Sequence, residues 1–265
     1  MSSDVRSWSQ LSQYTRCPLS YRLARIDKVW ERPDAWRPMG TAVHHAIEQY
    51  EKSERELSAE EVLAEYRKVY RAEINAFLEV TPNAEYFHRS GPYNGLADIP
   101  RRWEVGEQHV LRYLSWAEKN TPAIWTTSGG ARALELPFTV DIGGVAVRGF
   151  IDQVVSEEGV LTPVDVKTGS SASDPMQLAV YRAALRQMVD GEVVSDYGRF
   201  LMTAPKAGVK EKEHYIVELE TQLPEMFSAL DNGVKAGDFP AITGDHCNRC
   251  GVLSSCPVGQ AFLRG

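Results

Sequence analysis

The stretch from residue 134 to residue 189 constrains the fold of this 265-residue chain more than any other. Leu134, Leu136, Phe138 and Val140 alternate with polar residues, Gly143 and Gly144 follow, and VAVRGFIDQVV resumes as a β-rich run. Apolar residues at every second position line one face of a strand, and a Gly-Gly pair supplies the backbone conformation a tight hairpin needs. A second turn over 156–159 leads into 160–167, so three successive antiparallel strands are expected. ASDPMQLAVYRAALRQMVD then opens a helix, with Asp174 as its cap, Pro175 in the first helical position and Leu178, Tyr181, Leu185 and Met188 or Val189 as its buried stripe. Two further strands over 197–203 and 214–219 precede a C-terminal helix.

Upstream, helical periodicity dominates. Val43, Ala46, Ile47 and Tyr50 recur on one face after Pro38 and Gly40, and Ser58 with Glu61 forms a capping-box signature for a helix running to about residue 80. A third helix is expected from near Arg101 to Asn120. Between them TPNAEYFHRSGPYNGLADIP reads as a polar loop suited to a lid or a substrate-facing segment. The expected organisation is one domain over 1–265: a mainly helical part at 1–130, an α/β core at 131–220, and a C-terminal helix with a cysteine segment at 221–265. No stretch approaches the roughly 20 apolar residues of a membrane span, and MSSDVRSWSQ has no signal-peptide core. A cytoplasmic protein with no membrane partner is expected. The net charge of −7 argues mildly against a protein that coats nucleic acid, although an enzyme can gather carboxylates at a metal site and confine its cations to one groove.

The chemistry concentrates in GFID (149–152) and VDVKTG (164–169), which put Asp152 and Asp165 on adjacent strands. Strand alternation turns Asp165 and Lys167 to one face and Val166 to the other. Two carboxylates facing a lysine suit a hard cation, Mg2+ or Mn2+. Such an ion polarises a phosphodiester and acidifies a bound water, while an ammonium orients that water or stabilises phosphorane charge. An isolated D-x-K is common by chance, and the same residues also read as strand-end carboxylates with a solvated lysine. Gln177 and Tyr181, four apart on the next helix, share one helical face beside this pair, although Gln177 also suits the helix cap and Tyr181 the core. Glu135, on the preceding strand, is a further acidic candidate, although it reads first as an exposed strand carboxylate.

GFID, VDVKTG and QLAVY, preceded by GTAVHHAIE (40–48), resemble the successive motifs of RecB-like nucleases in the PD-(D/E)XK superfamily, over most of the chain. The resemblance implies an α/β fold with a restriction-endonuclease-like core: a mixed central sheet flanked by helices. It implies a metal-dependent DNA exonuclease in which His44, Asp152, Asp165 and the carbonyl of Val166 hold Mn2+ or Mg2+. Lys167 acts in catalysis, and Gln177 and Tyr181 hold substrate and site geometry. His44 lies one residue off the buried stripe of its helix, at an edge from which it could reach a site between helix and sheet.

Cys247, Cys250 and Cys256 form C-x2-C-x5-C near one end, and Cys17 stands near the other. Four thiolates hold zinc or an iron-sulfur cluster, and the spacing leaves both open. SWSQLSQYTRCPLSYRL (7–23) with the C-terminal trio is similar to the iron-sulfur branch of RecB-like nucleases, which includes the AddB nuclease domain and the CRISPR-adaptation exonucleases. That resemblance implies a [4Fe-4S] cluster on Cys17, Cys247, Cys250 and Cys256, clasping the N- and C-termini. The implied partner is DNA with free ends or in single-stranded form. Arg16, Arg22, Arg25, Lys206, Lys210 and Lys212 are candidate phosphate contacts, the lysines in a loop, and Trp8, Trp36 and Tyr14 are stacking platforms or plain core. A non-catalytic iron-sulfur DNA-binding subunit, or a recombination or CRISPR-adaptation accessory subunit, is the alternative, and an electron-transfer or scaffolding protein would leave the GFID and VDVKTG pairing without a role.

Overall fold

The computed structural model describes residues 5–120, 123–169, 174–204 and 208–265. In chain order the elements are β1 (Val5–Arg6), α1 (Trp8–Arg16), α2 (Pro18–Tyr21), α3 (Trp36–Lys52), α4 (Ala59–Val80), α5 (Gly95–Ala117), β2 (Ala123–Ile124), β3 (Leu134–Ile142), β4 (Val145–Glu157), β5 (Val160–Lys167), α6 (Met176–Met188), β6 (Val193–Val194), β7 (Tyr197–Met202), β8 (Lys210–Tyr215), α7 (Val217–Glu220), α8 (Leu223–Ala236) and α9 (Pro257–Arg264). The architecture is α/β, with helices around a mixed sheet. The chain divides into two compact units, Asp34–Phe138 with Phe150–Glu220, and Met1–Pro33 with Thr139–Gly149 and Thr221–Gly265. None of the described helices is long and apolar enough to cross a membrane.

In the larger unit the second half of β4 pairs antiparallel with β5, from Glu157–Val160 to Gln153–Val164. β5 runs parallel to β7 through Lys167, and β7 pairs antiparallel with β8. β5 is buried along nearly its whole length, as expected of a strand with a parallel neighbour. Against the sheet, α3, α4 and α5 bury one apolar cluster in which Met39, Val43, Ile47, Val62, Tyr66, Tyr70, Val110 and Tyr113 join Val155, Val164, Val166 and Leu201 of the strands. α4 opens on the expected capping box, Ser58 N donating to Glu61 Oε2 at 2.8 Å and Glu61 N to Ser58 Oγ at 3.4 Å, a device worth about 1 kcal/mol. α4 and α5 approach closely only because Gly106 has no side chain: a Cβ there would lie 2.0 Å from the Tyr66 hydroxyl, which donates to the Arg102 carbonyl at 2.8 Å.

Three expectations are corrected here. α5 starts at Gly95, about six residues early, with Asn94 Oδ1 accepting from Ala97 N and Pro100 inside the helix. The segment before it is anchored by Phe87, which is fully buried, and is no free loop. The strand expected over 214–219 is Lys210–Tyr215, followed by the short α7. Lys210 and Lys212 therefore stand on an exposed strand, whose row of charges discourages edge-to-edge pairing; Lys206 lies outside the described residues.

In the smaller unit β1 runs parallel to Ala146 and Val147 of β4. Arg6 is buried and donates to Asp231 Oδ1 through Nε at 2.9 Å and Nη2 at 2.6 Å. Gly143 and Gly144 both take positive φ, 64° and 81°, forming the hairpin turn between β3 and β4. Tyr14, half-buried, packs edge-on against Tyr21 and donates to the Asp238 carbonyl at 2.6 Å.

Candidate active site

β4 and β5 separate beyond the Gln153–Val164 pair. In the gap Val166 N donates to Asp152 Oδ2 at 2.9 Å, so the backbone of one strand fixes the carboxylate of the other. α3 brings His44 to the same carboxylate, Nδ1 standing 3.2 Å from Asp152 Oδ2 and 4.0 Å from Glu135 Oε1. On the other side Lys167 Nζ lies 2.6 Å from Asp165 Oδ2 and donates to Gln177 Oε1 at 2.9 Å. Gln177 Nε2 donates to the Tyr181 hydroxyl at 2.8 Å, and that hydroxyl donates to Asp165 Oδ1 at 3.3 Å. The chain of contacts thus returns to the carboxylate it started from.

Each link follows from local structure. Asp174 Oδ1 accepts from Met176 N at 3.0 Å, which starts α6 and leaves the Gln177 side chain to Lys167 instead of to the cap. Gln177 and Tyr181 are one turn apart and hence stack on one helical face. The buried surface of α6 is wider than a stripe, running from Leu178 to Leu185 without a break, whereas Met188 is exposed.

Electrostatics sort the titratable groups. Burial pushes the Asp165 carboxyl up, and the charge of Asp152 adds to it, to about 7, against the opposing pull of Lys167. Asp152 is also buried, but His44 and Lys167 with the Val166 amide outweigh burial and hold its pKa below the ordinary carboxylate value. Burial opposes protonation of His44, yet Asp152, Asp165 and Glu135 overcome it and raise the imidazole to about 9. Burial and then Asp152 raise Glu135 to about 7.

These residues fit a hard divalent cation. His44, Glu135 and Asp152 each offer a ligand atom within 4.8 Å of the others, an imidazole with carboxylate oxygens. Asp165 Oδ2 is buried and makes no well-directed hydrogen bond, its ammonium neighbour notwithstanding. Glu135 is the acidic candidate that sequence reasoning ranked too low. It is half-buried beside His44 rather than an exposed strand carboxylate, and its φ of 45° is unusual for a residue with a side chain. Nothing in LELPF signals either property. Glu48 lines the same small cavity with His44, Glu135, Asp152, Gln153 and Val166.

Within the smaller unit Cys17, Cys247, Cys250 and Cys256 line one cavity with Ser20 and His246, and all four are free. Cys17 ends α1, and Cys256 Sγ accepts from Gly259 N at 3.3 Å at the start of α9. Burial, followed by the neighbouring thiols, raises the pKa of Cys250. Of the candidate DNA contacts, Arg22 pairs with Asp27, Arg25 donates to Gln13, and Arg16 is exposed. Trp36 is tilted against His88, with ring centroids 6.0 Å apart.

Comparison with known proteins adds an independent finding. The family model described as the PD-(D/E)XK nuclease superfamily matches residues 6–257. Two phage proteins align over nearly their whole length: the Gene 69 protein of Mycobacterium phage L5 is 41% identical with 96% of each chain covered, and that of phage D29 is 40% identical with 96% of this chain and 97% of its own covered. A solved Eubacterium rectale protein, provisionally called an exonuclease, is similar over 87% of this chain and 82% of its own, at 13% identity and a TM-score of 0.43.

Proposed function

The chain belongs to the PD-(D/E)XK nuclease superfamily, and from that premise we propose that it is a DNA exonuclease of the RecB-like, iron-sulfur branch, using Mn2+ or Mg2+. The observation that carries the reading is the closed ring of contacts through Asp165, Lys167, Gln177 and Tyr181, with the His44–Asp152 pair fixed beside it by the Val166 amide. A bound divalent cation supplies Lewis acidity toward the phosphodiester and lowers the pKa of a water. His44, Asp152, Asp165 and the Val166 carbonyl would hold it, with Glu135 in reach. Lys167, held between Asp165 and Gln177, presents its ammonium to the charge that develops on the phosphoryl oxygens. Gln177 and Tyr181 brace that lysine and the Asp165 carboxylate, so the site needs little rearrangement when substrate arrives.

DNA with free ends or unpaired bases is the proposed substrate. Phe150 supports it: two residues before Asp152 and so on the same face of β4, it is 59% exposed, a platform on which an unpaired base can stack. For the cysteines we propose a [4Fe-4S] cluster, supported by the cavity they share and by the loop of more than 200 residues that such a clasp would close.

Purified anaerobically, the protein should degrade end-labelled linear DNA with Mn2+ or Mg2+ and not with EDTA, single strands faster than duplex, and leave circles intact. Unchanged activity in Asp165→Ala would overturn the site, and equal digestion of circles would make the enzyme an endonuclease. Iron and a visible absorbance lost in Cys17→Ala are expected; one zinc per chain in place of iron would refute the cluster.

A further inference from the structure

We propose that His109 and Thr203 are positioning residues that aim Lys167, acting through its backbone carbonyl. The inference rests on the nuclease reading of the site. Beyond Val164, β5 has lost its ladder with β4, so among the described residues Asp165, Val166 and Lys167 keep strand pairing with β7 alone, the Val166 amide turning instead to the Asp152 carboxylate. Lys167 is also the last residue of β5, where a strand frays most easily. What stands at that end is therefore decisive for the direction of its side chain.

Thr203, the residue after β7, grips the end twice. Its N–H donates to the Lys167 carbonyl at 2.9 Å and its hydroxyl to the same oxygen at 3.2 Å. A threonine hydroxyl has one proton, and with that proton given to Lys167 the contact of Thr203 Oγ1 with His109 Nδ1 at 2.7 Å is completed by an imidazole carrying its proton on Nδ1. Burial, with the charges of Arg112 and Arg102, lowers the His109 pKa to about 4, which keeps the ring neutral. Arg112, one turn along α5, donates to the Thr203 carbonyl at 3.1 Å and so holds the other side of the same residue. Thr203 is fully buried and His109 nearly so, and neither lines the cavity at His44.

The two residues thus form a brace from a distant helix to the catalytic strand. Lys167 Nζ lies four methylenes from its backbone, so a small rotation of the terminal peptide is amplified at the ammonium. A misplacement of about 1 Å at a reacting group costs on the order of 10²-fold in rate.

The test compares Thr203→Val, which keeps the shape and loses the hydroxyl, with Thr203→Ser, which keeps it, and His109→Ala with His109→Asn, whose amide can donate in place of Nδ1. With saturating Mn2+ and end-labelled DNA, Thr203→Val and His109→Ala should lower kcat about 10- to 100-fold while KM and Mn2+ affinity stay within about twofold. Thr203→Ser and His109→Asn should remain within about threefold of wild type. In a Lys167→Ala background, Thr203→Val should add nothing, since its effect runs through the lysine. Full kcat in folded Thr203→Val, or a further loss on top of Lys167→Ala, overturns the proposal; should Thr203→Val not fold, full kcat in His109→Ala overturns it equally. In 15N-lysine-labelled protein the Lys167 ammonium resonance should shift in Thr203→Val and His109→Ala but not in Thr203→Ser. This readout is independent of turnover: inactivity of the wild type on every DNA defeats the nuclease reading, whereas an unmoved resonance defeats the brace.

Discussion

Replacing Asp165 by asparagine should stabilise the metal-free protein above neutral pH while abolishing its activity. The Asp165 side chain is 1% exposed, and burial with the nearby charge of Asp152 lifts its pKa from 3.8 to about 7. At about 1.36 kcal/mol per pH unit, that gap makes the ionised carboxylate costly by about 4 kcal/mol at most. Asparagine removes this cost but strands Lys167, whose lost ion pair with the carboxylate takes back roughly 2 kcal/mol. About 2 kcal/mol net remains, or about 4–8 °C in Tm for a chain of this size. The sign follows from linkage. A carboxyl whose folded pKa lies above its unfolded value contributes stability that is full below about pH 4 and is lost as the pH rises through 7. Asparagine does not titrate, so its advantage should be small at pH 5.5 and fully developed at pH 8.5. Thermal unfolding of both proteins in EDTA at the two pH values measures it. A variant no more stable than wild type at pH 8.5, or equally shifted at both values, would refute the electrostatic account of the site.

Other expectations follow from the same geometry. His44 has a pKa of about 9 and must shed its proton to bind a cation, so Mn2+ affinity by calorimetry should climb between pH 6.5 and 9 by up to about tenfold per unit; a flat profile would remove His44 from the ligand set. Glu135→Gln should weaken Mn2+ binding by about tenfold or more with little change in Tm, because its carboxylate lies 4.0 Å from His44 Nδ1 and in no core contact network. Gly106→Ala should cost about 1–3 kcal/mol, since its Cβ would meet the Tyr66 ring. A neutral result in denaturant titration would mean that α4 and α5 separate freely.

Much of the site was legible because it is local. Asp152, Asp165 and Lys167 lie on consecutive strands with clear alternation, and Gln177 and Tyr181 follow within one helix whose start is marked by Asp174 and Pro175. The unseen parts have other physics. β8 is KEKEHY, exposed along its length, so no apolar alternation marks it. α5 begins among Gly, Asp and Pro because packing against Phe87 outweighs weak helix propensity, a tertiary effect with no local signature. Glu135 enters through a backbone twist, and His109 reaches Thr203 across 94 positions of sequence, which no periodicity records.

The positive φ of Glu135 has a consequence for anyone altering this chain. A side-chain-bearing residue in that conformation costs of order 1–3 kcal/mol, which glycine would recover. Selection for heat tolerance alone would therefore favour glycine at position 135 and discard a carboxylate beside His44. On the proposed metal site durability and metal chemistry pull in opposite directions at this position, and a library ranked by melting temperature would enrich for poorer enzymes.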